Sequence, residues 1–127
     1  MAEIHEKGKA TEDEALVWFL KNRPSILLCR NFRTRGGEID LIFEEINLFK
    51  GETQSRSELV FVEVRFRPKG AMVSALESVG WLKQRRMAKT AEYFLVQYKG
   101  KATTLRYDLL LWDGESWDHR PNLQLVL

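Results

Sequence analysis

The fold is organised around one stretch of sequence, Gly36-Gly37-Glu38-Ile39-Asp40-Leu41-Ile42-Phe43, and a related one, Leu59-Val60-Phe61-Val62-Glu63-Val64-Arg65. Apolar and β-branched residues dominate both, which is typical of β-strands. Each stretch nevertheless carries carboxylates, which are rarely buried in a strand unless a partner neutralises them. Burying an unpaired carboxylate costs about several kcal/mol or forces the group to take up a proton. A metal ion is one partner that removes this cost, so the two stretches predict a functional site.

Length and composition favour one globular domain over the 127 residues. A content of 44% hydrophobic and 30% charged residues is ordinary for such a domain. The single cysteine, Cys29, excludes an internal disulfide and is typical of the reducing cytoplasm, where we expect the protein to be. We expect no membrane span, because no apolar run approaches about 20 residues, and no signal peptide, because the N-terminus is polar.

The hydrophobic pattern predicts a helix, three strands, a second helix and further strands. The first helix is expected from about Thr11, in a capping box with Glu14, to Asn22, although a start within residues 6–10 is also compatible. The expected strands cover 25–32, 38–44, 59–67 and 103–112, followed after an Asp113-Gly114 turn by 115–119 and by a short strand at 122–127. The second helix is expected over about 80–98. This order predicts an α/β fold with one mixed sheet and helices packed against it.

Side-chain alternation brings two carboxylates together. Asp40 and Ile42 are expected on one face of their strand, opposite Ile39, and Glu63 projects from the next strand. If residues 45–57 join the two strands as antiparallel neighbours, Asp40 can lie beside Glu63, since paired or diagonal side chains are about 4.5–8 Å apart. Two carboxylates about 4 Å apart repel by roughly 4 kcal/mol at an effective dielectric near 20. Oxygen ligands on rigid strands suit Mg²⁺ or Mn²⁺, which are therefore the expected cofactors.

The same residues also permit an interpretation without a functional site. The strand carboxylates can lie on a solvated sheet face, with Arg65 in an exposed cross-strand ion pair. Glu12 lies in the first turn of the expected helix, where the helix dipole alone stabilises an acidic side chain. The basic residues near Lys83 can equally form the solvated face of the second helix. The pattern by itself leaves both interpretations open.

Short motifs along most of the chain occur in a specific order. They are Gly8-x-x-x-Glu12, Asn31-Phe32-Arg33, Gly36-Gly37-Glu38-Ile39-Asp40-Leu41-Ile42, Leu59-Val60-Phe61-Val62-Glu63-Val64-Arg65-x-Arg67, Ser78-Val79-x-x-x-Lys83 and Arg106-Tyr107-Asp108-Leu109. This order resembles the YraN family of bacterial proteins. That family is similar to the PD-(D/E)xK nuclease superfamily, particularly to archaeal Holliday-junction resolvases. The resemblance implies a restriction-endonuclease-like core, in which helices flank a mixed central β-sheet.

The resemblance also implies catalytic roles for four residues. Glu12 corresponds to the helical acid of the superfamily, Asp40 to the first strand acid and Glu63 to the second, with Asp40 and Glu63 as the metal ligands. Arg65 stands where the superfamily has its lysine, and is the fourth candidate catalytic residue. Because arginine is not deprotonated in proteins, Arg65 can orient water or stabilise charge but cannot act as a general base.

Basic residues extend this expectation to nucleic acid, although a net charge of only +2 does not argue for it by itself. The candidate phosphate contacts are Arg33, Arg35, Arg67, Lys83 and Arg86. The expected function is that of a divalent-metal-dependent endonuclease acting on DNA, with branched or repair intermediates as candidate substrates. A homodimer is the candidate assembly, by analogy with resolvases. The alternative is a nucleic-acid-binding module with a nuclease fold and little or no cleavage, which Arg65 and the small net charge favour.

Overall fold

The computed structural model of the protein describes residues 2–47, 51–70, 74 and 77–125, and of residues 2–10 only the helical backbone. Its elements are α1 (Ala2–Asn22), β1 (Ser25–Thr34), β2 (Gly37–Asn47), β3 (Arg56–Phe66), α2 (Trp81–Gln97), β4 (Thr104–Trp112) and β5 (Trp117–Arg120). The expected α/β fold is confirmed, and its helices and mixed sheet are compatible with a restriction-endonuclease-like core.

The described strands form one sheet in the order β1-β2-β3-β4-β5. β1, β2 and β3 are antiparallel neighbours, so the predicted pairing of the two carboxylate-bearing strands is confirmed. β3 and β4 are parallel, and α2 is the crossover that joins them. β5 returns antiparallel to β4 at the edge of the sheet.

The two helices cover two faces of this sheet. Ala15 and Phe19 of α1 are fully buried against β2, β3 and β4, and the Phe19 ring stacks on Phe43 with centroids 4.1 Å apart. Ala91 and Phe94 of α2 pack against β2 and β3 in a separate cluster. Burying one large apolar side chain contributes roughly 1.5–3 kcal/mol, so these contacts hold the helices in place.

Several element boundaries differ from those predicted. α1 begins at Ala2, so Thr11 and Glu14 lie inside the helix and their capping box does not start it. After β4, the Asp113 carboxylate accepts hydrogen bonds from the N–H groups of Glu115 and Ser116, and β5 begins only at residue 117. Residues 121–125 contain no strand, while residues 126–127 of the predicted last strand lie outside the described part. Neither described helix combines the length and apolarity needed to cross a bilayer.

The alternation of side chains is interrupted in β2. Ile39 and Ile42 both pack in the cluster under α2, whereas Leu41 packs under α1. The prediction that Ile39 and Ile42 lie on opposite faces is therefore wrong. The interruption lies opposite Asn31 of β1, whose φ of 51° is in the left-handed region that asparagine tolerates better than most residues. Asp40 lies at this interruption.

Candidate active site

The carboxylate site lies where the pairing of β2 and β3 ends. The last paired residues are Leu41 and Val62. Asp40, the next residue of β2, accepts a hydrogen bond from the backbone N–H of Val64 through its side-chain Oδ2, at 2.8 Å. Glu63, the next residue of β3, is only 4% exposed. The fork between the two strands thus holds the two carboxylates that the register argument placed there.

The fork is electrostatically strained. Burial, together with the charge of Glu63, raises the pKa of Asp40 to about 7, although the Val64 N–H and the Lys83 ammonium oppose the shift. Burial also raises the pKa of Glu63, against the opposing charges of Lys83 and Arg65. Glu63 Oε2 is buried and accepts no hydrogen bond from any described residue. A buried carboxylate oxygen without a donor is unusual, and either a proton held by Asp40 or a bound cation would satisfy it.

A lysine of α2 reaches the same fork. Lys83 Nζ lies 3.3 Å from Glu63 Oε1, and its side chain is 41% exposed. Arg65, two residues after Glu63, forms no ion pair within the described residues, although its charge stabilises the Glu63 carboxylate. The ammonium beside Glu63 therefore comes from α2 and not from the Glu-x-Arg position. Sequence reasoning assigned Lys83 only to phosphate contacts. The Val79-x-x-x-Lys83 motif, part of the family resemblance, was the one feature of the sequence that indicated a role for Lys83 at the carboxylates.

Glu12 approaches the site from α1. In the amide orientation that satisfies both carboxylates, the Asn31 NH₂ donates to Glu12 Oε2 at 3.2 Å and to Glu38 Oε1 at 3.0 Å. Burial, followed by the charges of Asp40 and Glu38, raises the pKa of Glu12. Glu12 is thus coupled to Asp40 through its charge. Sequence reasoning missed the role of Asn31, although its motif, Asn31-Phe32-Arg33, was part of the family resemblance.

Two carboxylates of the fork, and not three, could hold a metal ion. Within residues 11–47, 51–70, 74 and 77–125, no three His, Cys, Asp or Glu side chains cluster at metal-binding separation. Mg²⁺ keeps several waters and needs only one or two protein carboxylates when substrate phosphates complete its shell. Asp40 and Glu63 could meet that requirement, because they are adjacent, shielded from solvent (Glu63 buried and Asp40 partly buried) and incompletely neutralised. The donor set is all oxygen, which suits Mg²⁺ or Mn²⁺.

A basic cavity of about 550 Å³ lies beside the carboxylates. Its lining consists of Arg33, Thr34, Arg35, Gly36, Gly37, Glu38, Lys83 and Arg86. Four of the five predicted phosphate contacts therefore share one cavity, and Lys83 borders both the cavity and the carboxylate fork. The fifth, Arg67, is not among them and lines a smaller cavity that also includes Lys69 and Asp113.

Sequence comparison covers all the candidate site residues. A model of the uncharacterised protein family UPF0102 matches residues 11–111 of the chain. The chain belongs to UPF0102. The resemblance to the YraN family is thereby confirmed, because the two names denote the same family.

Bacterial UPF0102 proteins resemble this chain over most of its length. A relative from Janthinobacterium sp. (strain Marseille) is 38% identical over 108 residues, which are 85% of this chain and 78% of the relative. One from Herminiimonas arsenicoxydans is 40% identical over 107 residues, covering 84% and 77%. One from Legionella pneumophila subsp. pneumophila is 34% identical over 112 residues, covering 87% and 86%. These similarities establish the family, and the chemistry has to be argued from the site.

The UPF0102 chain has a second buried charge cluster, built on the Arg106-Tyr107-Asp108 motif. The Arg106 guanidinium donates to Glu58 at 2.9 Å, to Glu45 at 2.9 Å and to Asp108 at 3.0 Å. His119 Nε2 lies 2.8 Å from the other Asp108 oxygen. Against the effect of burial, hydrogen bonds from Arg23 and Arg106 hold the pKa of Glu45 below its ordinary value, and those from His119 and Arg106 do the same for Asp108. This cluster is internally paired, in contrast to the strained fork.

Proposed function

We propose that this UPF0102 protein is a divalent-metal-dependent nuclease that hydrolyses phosphodiester bonds of DNA. The observation that carries the proposal is Glu63, a buried carboxylate with one oxygen 3.3 Å from Lys83 and the other without a donor among the described residues, beside a second, partly buried carboxylate, Asp40. Such an arrangement destabilises the fold, and uncompensated buried charge of this kind is concentrated at functional sites. Mg²⁺ or Mn²⁺ bound there would supply charge neutralisation and a water of lowered pKa.

The residues around the fork divide the remaining tasks. The Val64 N–H holds the Asp40 carboxylate in one orientation. Glu63 would hold the ion through Oε2, which accepts no hydrogen bond from the described residues. Glu12, held by the amide of Asn31, acts on Asp40 through its charge and favours binding of a cation there. Together these groups would hold the ion and its bound water. The negative charge of the phosphate would be offset by cationic side chains.

Two cations are near enough to stabilise the phosphate. We assign to the Lys83 ammonium the task that the superfamily gives to a strand lysine, because Lys83 and not Arg65 contacts Glu63. An ammonium on a flexible stem can hold a water or follow the charge that develops on a phosphate oxygen. Arg65 adds its charge from the same strand as Glu63. In the basic cavity, Arg33, Arg35 and Arg86 would contact neighbouring phosphates of the DNA strand.

The proposal includes a location and an assembly. The cytoplasm keeps a free thiol such as Cys29 reduced and contains the DNA substrate. Symmetric resolution of a four-way junction requires two cuts, which a homodimer with two sites would supply. Light scattering of the purified protein, with and without four-way DNA, tests the dimer.

A cleavage assay tests the nuclease. The purified protein is incubated with labelled linear, nicked, flap and four-way DNA, in Mg²⁺, Mn²⁺ or chelator. We expect products only with metal, and none from Glu63→Gln. The matched control is Glu92→Gln, because Glu92 is an exposed glutamate of α2 whose ion pair, within the residues that the structure describes, is with the exposed Lys89. Absence of products with every substrate and both metals would contradict the proposal.

A second candidate is a DNA-binding module without cleavage. The observation that favours it is the Lys83–Glu63 ion pair, which already neutralises part of the site, together with arginine at the superfamily lysine position. This candidate predicts equal DNA affinity in Mg²⁺ and in chelator, with no products in either. The nuclease predicts tighter binding in a non-cleaving ion such as Ca²⁺ than in chelator.

A further inference from the structure

The basic cavity is built from two elements that are far apart in sequence. The turn between β1 and β2 contributes the lining over residues 33–38, and α2 contributes Lys83 and Arg86. The turn sits directly on the helix, since Thr34 Oγ1 and Thr90 Oγ1 are 3.3 Å apart. This contact therefore helps to fix the relative placement of the two sets of cations, alongside the packing of α2 on the sheet.

Gly37 makes that close approach possible. A Cβ atom at this position would lie 3.0 Å from Thr90 Oγ1 and 3.1 Å from the Arg86 Cβ, so both neighbours would have to move by a few tenths of an ångström. A Cβ atom at the adjacent Gly36 would meet nothing within 4 Å. Only the second glycine of the pair is required by packing, and it lies against the residue that carries one of the cavity's guanidinium groups.

The charges of the cavity are only partly compensated within the protein. Arg33 pairs with Glu38 at 3.3 Å, and Lys83 pairs with Glu63 outside the lining. Arg35 and Arg86 are exposed and form no ion pair in the part of the chain that the structure describes. Two guanidinium groups facing one concave surface attract anions, and their planar donors match the oxygens of a phosphate.

We propose that this cavity is a phosphate subsite that acts without metal and binds the phosphate group next to the one held at the carboxylate fork. The identity of the substrate as a nucleic-acid strand rests on the proposed function, whereas phosphate binding by the cavity does not require Asp40 or Glu63. Arg35 and Arg86 are the principal contacts. Gly37 is a positioning residue, because it lets the turn and α2 come close enough for both guanidinium groups to reach one phosphate.

Calorimetric titration in chelator tests the subsite, with inorganic phosphate, a thymidine dinucleotide that carries a 5′-phosphate, and the same dinucleotide without it. We expect measurable binding of all three, since each offers a phosphate oxygen. Arg35→Gln and Arg86→Gln should each lower the affinity about tenfold or more, as expected for a lost charged hydrogen bond. Lys89→Gln is the control, because Lys89 is an exposed cation of α2 outside the cavity. The proposal would be overturned if Lys89→Gln lost as much affinity as the arginine variants. It would also be overturned if both arginine variants kept the wild-type affinity.

A glycine pair and one glutamate variant complete the experiment. Gly37→Ala should weaken phosphate binding by less than either arginine variant, because it shifts Arg86 without removing its guanidinium, and Gly36→Ala should leave the affinity unchanged. Equal binding by both glycine variants would remove the positioning role. If Gly37→Ala does not fold, the two exposed arginine variants still decide.

Glu63→Gln should retain or increase phosphate affinity, because it releases the Lys83 ammonium toward the cavity. A loss of affinity would show that the cavity is not a separate subsite. Phosphate binding without DNA cleavage would contradict the nuclease and leave the subsite standing.

Discussion

Asp40 and Glu63 repel each other in a fork that excludes much of the solvent. The fold tolerates them because the Val64 N–H, Lys83 and Arg65 each offset part of the charge. The remaining repulsion destabilises the folded protein, and a cation bound at the fork would supply the missing counter-charge. A site that destabilises the fold without its ligand should stabilise the fold when the ligand binds, and this change in unfolding free energy can be measured.

The first prediction concerns the metal and Asp40. Mg²⁺ or Mn²⁺ at about 100 times its dissociation constant should stabilise the wild type by roughly 2.7 kcal/mol and raise its melting temperature. Asp40→Asn should melt at a higher temperature than the wild type in chelator, since the repulsion is gone, and should show no rise with metal. Differential scanning calorimetry gives both numbers, with Glu92→Gln as the control. A wild-type melting curve that is indifferent to millimolar metal would count against the site.

The second prediction separates Lys83 from Arg65. If the Lys83 ammonium orients water or stabilises charge in the transition state, Lys83→Ala should lower the cleavage rate at saturating DNA by ~10²–10³. Arg65→Ala should have the smaller effect, because Arg65 does not contact Glu63 within ion-pair distance. Arg65→Lys should retain or increase activity, since it restores the superfamily residue.

The control for this prediction is DNA affinity across a salt series. A residue that only contacts phosphate lowers rate and affinity together, and its removal reduces the salt slope by about one. A lysine variant that cleaves at the wild-type rate would show that the ammonium has no catalytic task, and a larger loss in Arg65→Ala would reverse the assignment.

At the scale of elements, the family motifs predicted strands better than side-chain faces. The apolar content of β2 and β3 was enough to predict both strands, because local propensity and burial agree there. Alternation then predicted opposite faces for Ile39 and Ile42, which is wrong, since β2 is irregular beside the left-handed Asn31. The irregularity lies at Asp40, whose carboxylate accepts a hydrogen bond from the backbone N–H of Val64. Local departures from regular patterns are expected at functional positions, and no propensity scale contains them.

The third prediction belongs to β4 and tests the other charge cluster. Arg106→Met leaves Glu45, Glu58 and Asp108 buried without their common donor, so unfolding free energy should fall by about 3–5 kcal/mol. Arg120→Met, which breaks only an exposed pair with Asp118, should cost less than about 1 kcal/mol. Urea denaturation measures both. Equal losses of unfolding free energy in the two variants would mean that the buried Arg106 cluster stabilises the fold no more than the exposed pair does.

At the scale of the molecule, the arrangement of helices around the fork was only partly predictable. The α, strand, α, strand order gave the layers, because each amphipathic element must bury its apolar side on the sheet. The approach of Lys83 to Glu63 was not predictable, since it depends on the crossover geometry of α2. The close packing of the β1–β2 turn against α2 likewise depends on residues that are far apart in the sequence. The carboxylates themselves were predictable, because acids in apolar strands are anomalous in any fold.

The last prediction uses the whole protein's stability as a function of pH in chelator. Glu45 and Asp108 have pKa values below those of the unfolded chain, so their contribution is present above about pH 4.5 and is lost as the pH falls. Asp40 and Glu63 have raised pKa values, so the folded state holds their protons more tightly than the unfolded chain does. Their contribution is present at low pH and is lost as the pH rises from about 4 through about 7.

The two trends have opposite signs, so the metal-free protein should be most stable in mildly acidic solution. It should lose roughly 2–4 kcal/mol between there and pH 8. Asp40→Asn should remove most of that alkaline decline while leaving the acid limb unchanged, because the Arg106 cluster is a separate group of charges. Metal should remove the decline in the wild type as well, since it competes with the protons for the same carboxylates. Urea denaturation at pH steps from 4 to 8 supplies the curves. A wild-type stability that rises steadily to pH 8 in chelator would mean that the carboxylates in the fork are not strained.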